Sequence, residues 1–128
     1  MVTRIYLGVV AIILLASVAY LFNPDLFSMN GQDLGTTAAH TDIRAMYGAF
    51  PIGLGLFLLP GLRKDGPHAL LLLFCALMFG GVIAGRLIGI ALDGGDQSFN
   101  MGALLLEVPL FLAGLALYLR ERRRGTPA

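Results

Sequence analysis

Tryptophan is absent from this chain of 128 residues, cysteine occurs once and histidine twice. The lone Cys75 excludes an intrachain disulfide and a CxxC redox pair. Without tryptophan, Tyr6, Tyr20, Tyr47 and Tyr118 are the candidate anchors at a membrane–water interface. Charge is scarce as well: Asp, Glu, Lys and Arg make up 13% of the chain, against about 25% in an ordinary soluble domain. A formal net charge of +1 gives no electrostatic footprint for nucleic acid. No Gly-rich phosphate loop, nucleophile motif or zinc-ligand spacing is present, so no metal, cofactor or catalytic set is assigned and nothing favours an enzyme.

What is abundant is apolar surface. Hydrophobic residues make up 57% of the chain, and its mean hydropathy is +0.80. The length suits a single domain, 1–128. Four apolar runs, at about 5–22, 43–60, 68–92 and 101–119, each approach the ~20 residues needed to cross a bilayer. The expected fold is therefore an all-α integral membrane protein, a four-helix transmembrane bundle, with the third helix the longest. The first run exceeds the usual signal-peptide core of about 7–15 residues, so it is read as a retained span.

The basic residues orient the bundle. Arg4, Arg63, Lys64 and the Arg120, Arg122, Arg123, Arg124 cluster fall on one side of a four-span chain. Loops 23–42 and 93–100 have neither Lys nor Arg. By the positive-inside rule both termini are cytoplasmic. His40 then lies outside and His68 inside, which keeps them from sharing a metal or haem within one chain. The Arg cluster doubles as a contact for anionic lipid.

Local signals mark the helix ends. Pro24 stops the first helix. Thr36 or Thr37 is an N-cap candidate for the second, and Ser98 or Asn100 for the fourth. Leu26, Phe27 and Met29 either rest on the membrane surface or tuck back onto the helices. Pro51 and Pro109 lie within the second and fourth runs and deprive the carbonyls of Tyr47 and Leu105 of a donor. Phe50-Pro51-Ile52 and Val108-Pro109-Leu110 hint at a two-helix repeat.

The most informative stretch is 81–93. Gly81, Gly85 and Gly89 share a helix face and offer a ridge for close helix packing. Beside it stands Arg86, whose insertion at mid-membrane depth costs about 2.5–3.5 kcal/mol and so demands a partner. Arg86 lies seven residues inside Asp93 and Glu107 seven inside Asn100, placing both about 10 Å deep. Equal depth predicts an ion pair. Arg44 and Tyr47 enter from the second helix, one α-helical turn apart, with Asp42, Asp93 and His40 at the rim. Arg44, Tyr47, Arg86 and Glu107 are the candidate ligand-binding residues. Two readings of Arg86–Glu107 stand together: a clamp that fixes helix register, or part of a site.

Asp42-Ile43-Arg44-Ala45-Met46-Tyr47-Gly48-Ala49-Phe50, then Gly53-Leu54-Gly55, Gly85-Arg86-Leu87-Ile88-Gly89, Asp93-Gly94 and Leu106-Glu107, resemble a bacterial family over nearly the whole chain. That family is catalogued as a domain of unknown function, number four-three-four-five: small proteins of four membrane helices. A looser likeness is to DoxX-type four-helix membrane proteins. The resemblance implies a bacterial inner-membrane location and makes the four candidate residues the family's characteristic polar positions. This chain departs from the pattern around Pro51, where the family often has an acid or an amide.

The leading functional expectation is a pocket in the outer half that binds an amphiphilic molecule, such as a membrane lipid or a quinone-like compound. Arg44 and Arg86 would hold its head, Tyr47 would donate a hydrogen bond and Glu107 would orient Arg86. The alternative is an accessory subunit whose glycine faces dock a larger membrane complex or a second copy, with Arg86–Glu107 purely structural. The orientation is directly testable. With Cys75 replaced by alanine, single cysteines at Gly35 and Gln97 should react with an impermeant maleimide from outside, and one at Asp65 only from inside. Reversed labelling at any of the three overturns both the orientation and the depth reading.

Overall fold

The computed structural model describes residues 1–30, 35–93 and 98–124. All regular structure among the described residues is helical: α1 Val2–Leu15, α2 Val18–Phe22, a 3-10 segment Pro24–Asn30, α3 Thr37–Ile43, a π-helical turn Arg44–Ala49, α4 Phe50–Leu58, a 3-10 turn Leu59–Leu62, α5 His68–Asp93 and α6 Ser98–Arg124. These join into 4 helices long and apolar enough to cross a membrane, Val2–Phe22, Thr37–Leu62, His68–Leu92 and Ser98–Arg124. The last, at 27 residues, exceeds the 26 of α5, because it runs on through the arginine cluster. Arginine is a strong helix former, and nothing before Gly125 stops the turn.

By their contacts the residues group into two compact units, Met1–Gly66 and Pro67–Ala128, and each is described by itself. In the first, α1 packs on α4 and α2 on the π turn, so the two long helices run antiparallel. Thr3, Tyr6, Leu7, Val10, Ala11 and Leu58 are buried there. The second unit is the antiparallel pair α5 and α6. Leu71, Leu72, Cys75, Ala76 and Phe79 recur at helical spacing and form the buried stripe of α5. Burial pairs Cys75 with apolar neighbours, the usual situation of an inert core thiol.

Thr36 is the cap of α3, its Oγ1 accepting the Ala39 N–H at 3.1 Å, so the second long helix starts six residues before the apolar run. Gly35, just before it, takes φ 28, a left-handed conformation that suits glycine. Among the described residues α6 starts at Ser98 and contains Asn100, so Asn100 is not its cap. The glycine-rich turn after Asp93 and the Asn30-Gly31 and Leu34-Gly35 turns extend outside the described residues.

The two prolines behave differently, which removes the hinted repeat. Pro109 sits inside a continuous α6. Ahead of Pro51 the helix widens instead: the Phe50 N–H bonds the carbonyl of Ala45, five residues back. Pro51 has no N–H to give, and its ring crowds the preceding turn; one extra residue in that turn relieves both. Opposite this wide turn the first long helix tightens at Ala16–Ser17, where Ser17 N–H reaches Leu14 O and Tyr20 N–H reaches Ser17 O. The two irregular turns meet. The Ser17 hydroxyl donates to the Gly48 carbonyl at 3.0 Å. A Cβ on Gly48 would stand 2.9 Å from the Leu21 backbone.

That approach predicts a contrast between glycines. Gly48→Ala must push two backbones apart and should cost about 1–3 kcal/mol, as overpacking does. Gly53→Ala meets nothing within 4 Å and should be neutral or gain up to about 1 kcal/mol from helix propensity. Thermal unfolding of both variants in one detergent checks the ordering; equal midpoints would refute the close contact.

Candidate functional site

In the second unit the predicted ion pair is present. Arg86 Nε donates to both carboxylate oxygens of Glu107, at 3.0 Å to Oε1 and 2.8 Å to Oε2. The two side chains are 23% and 13% exposed, so they are shielded without being sealed. Arg86 Nη1 donates to Asn100 Oδ1 at 2.6 Å. The Phe99 ring lies 5.7 Å from the guanidinium carbon, within cation–π range. Arginine reaches all three because its donors are set in a fixed planar fork. Asn100 thus serves Arg86 rather than the helix end. The signal for Asn100 was its spacing: it precedes Glu107 by seven residues, two helical turns, and so shares its face.

In the first unit Arg44 and Tyr47 sit on the π turn. A turn closed by i→i+5 bonds rotates less per residue than an α-helix, so residues three apart fall further short of a full turn and the shared-face spacing expected of Arg44 and Tyr47 is loosened. Arg44 is exposed and makes no hydrogen bond or ion pair among the described residues. Asp42, also exposed, forms no ion pair with it. Tyr47 is covered on one side by Phe27, their ring centroids 4.5 Å apart, and Phe27 meets Tyr20 edge-on at 6.1 Å. Phe27 has therefore tucked back onto the helices. The backbone of Asp93 closes α5, and its side chain lies outside what is described. Arg44 and Tyr47 belong to one unit, Arg86 and Glu107 to the other.

Among the described residues no group of three or more His, Cys, Asp and Glu is placed to hold a metal ion. His40 has a different task. Its Nδ1 faces the Thr36 carbonyl at 2.9 Å and its Nε2 faces Asp25 Oδ1 at 2.8 Å. Both partners are acceptors, so only the doubly protonated ring donates to both. His40 stands in the polar start of its helix, ahead of the apolar run from residue 43. The Thr36 carbonyl first, then Asp25, raise its pKa above 6.5, against smaller opposing effects from partial burial and Arg44. The contact ties the Pro24–Asn30 segment, which carries Phe27, to α3.

Four helices of membrane length, with an ion pair joining the last two, define a small all-helical protein with the make-up of a multi-pass membrane protein. Residues 2–119 match the family model described as Domain of unknown function (DUF4345), and the chain belongs to that family. No curated protein and no solved structure matches it, and the likeness to DoxX-type proteins has no match behind it.

The His40 contact predicts a pH dependence whose sign follows from its raised pKa. Its stabilisation is full below the unfolded value of about 6.5 and is lost as pH rises through the higher folded value. Histidine ring NMR should show His40 titrating above 6.5, and Asp25→Asn should lower the midpoint. A midpoint indifferent to Asp25→Asn would refute the tie.

Proposed function

We propose that this is a four-helix protein of the bacterial inner membrane, with cytoplasmic termini, that holds a lipid-like or other amphiphilic molecule at Arg86 in the outer half of the bilayer. The observation that carries the reading is the state of Arg86. It lies in an apolar helix, yet among the described residues Glu107 and Asn100 take only part of its donor fork. A clamp needs the Glu107 contact alone; a site needs donors left over. Glu107 orients the guanidinium and Asn100 holds its far end. Arg44 and Tyr47 offer a separate polar position in the first unit, suited to a headgroup.

One observation favours a second reading. Among the described residues Gly81 and Gly85 have nothing within 4 Å of an added Cβ, so that part of the glycine ridge is open, as an accessory subunit that docks a larger membrane complex would need. Such a subunit should co-purify with one stoichiometric partner.

The test is a mutant cycle with two readouts, thermal stability and the small molecules retained on gentle extraction. Glu107→Gln leaves Arg86 uncompensated and should cost about 3–5 kcal/mol, the scale for breaking a buried pair. Arg86→Met should cost less, because Glu107 can take up a proton. The double variant Arg86→Met with Glu107→Leu should recover much of the stability and lose the bound molecule. A double variant that keeps the molecule, or a wild-type protein empty in several mild detergents, rejects the site; additive losses show that the two residues do not interact.

A further inference from the structure

The charge and donor balance at Arg86 says what kind of head the site takes. A guanidinium has five N–H donors. Glu107 receives the one on Nε, and Asn100 receives one from Nη1. The remaining three, two of them on Nη2, have no hydrogen-bond partner among the described residues. Donors left unpaired in apolar surroundings are costly, so an acceptor is wanted there. The positive charge is a different matter, because Glu107 already matches it. A second anion beside the pair would meet Glu107 at close range, where screening is weak. An uncharged oxygen takes the hydrogen bonds without that repulsion.

The surroundings suit an amphiphile. The Phe99 ring lies 5.7 Å from the guanidinium carbon. Along the same two helices Leu87, Ile88, Leu105 and Leu106 are exposed, at 53%, 59%, 81% and 55%, and supply apolar surface for a tail. We infer that the Arg86 site selects amphiphiles whose head is a neutral carbonyl, an ester or a ketone such as a quinone oxygen, over anionic amphiphiles of equal chain length. This rests on the site reading above and adds the ligand's chemical class.

The experiment uses the full chain in phosphatidylcholine nanodiscs, offered equimolar methyl dodecanoate and dodecane sulfonate, with occupancy read by native mass spectrometry. Wild type should favour the ester by about tenfold, the ratio that 1.4 kcal/mol of charge repulsion produces. Glu107→Gln, which leaves Arg86 with an unmatched charge, should reverse the preference. Arg86→Lys keeps the charge but not the planar fork, and should lose most of the ester occupancy. Sulfonate bound as well as ester by wild type, or a ratio unmoved by Glu107→Gln, overturns the inference while leaving a site in place. Neither probe bound, with no native lipid retained, removes the site itself.

Discussion

A chain this apolar has to satisfy its polar groups from within, because the surroundings that suit its surface offer no hydrogen bonds. That constraint governs both units. In the first, the turn widened by Pro51 leaves backbone carbonyls off the regular ladder, and the Ser17 hydroxyl crosses from the neighbouring helix to the Gly48 carbonyl. In the second, Arg86 obtains Glu107, Asn100 and Phe99. Both solutions bring a polar group from the adjacent helix, so each also fixes the register of a helix pair.

The first unit shows how one proline is absorbed. The wide turn ahead of Pro51 and the tight turn at Ala16–Ser17 are complementary in shape, and glycine at position 48 permits the contact. π turns and mid-helix 3-10 turns often accompany functional positions because they re-aim side chains. Here Arg44 and Tyr47 are the side chains re-aimed. Phe27 covers Tyr47, and the His40–Asp25 contact holds the segment that carries Phe27.

The second unit gives the chain a chemical focus. Equal and opposite charges on α5 and α6 cancel, which lowers the cost of keeping either in an apolar setting. Cancellation also shifts the emphasis at Arg86 from charge to hydrogen-bond geometry. This is why an uncharged acceptor suits Arg86 better than a second anion.

Much of this was legible in the residues alone. The four long helices followed from apolar run length, the Thr36 cap from its side-chain oxygen, and Arg86–Glu107 from counting equal distances from two helix ends. Each is a local or one-dimensional property, set by composition and rise per residue. The π turn, the break at Ser17, the return of Phe27 onto Tyr47 and the use of Asn100 by Arg86 were not. They depend on rotation about the helix axis and on which backbone lies opposite, quantities that are decided only when helices pack. Pro51 and Pro109 make the point: the same residue in the same kind of run widened one helix and left the other continuous, and the wide turn lies where the neighbouring helix tightens at Ala16–Ser17.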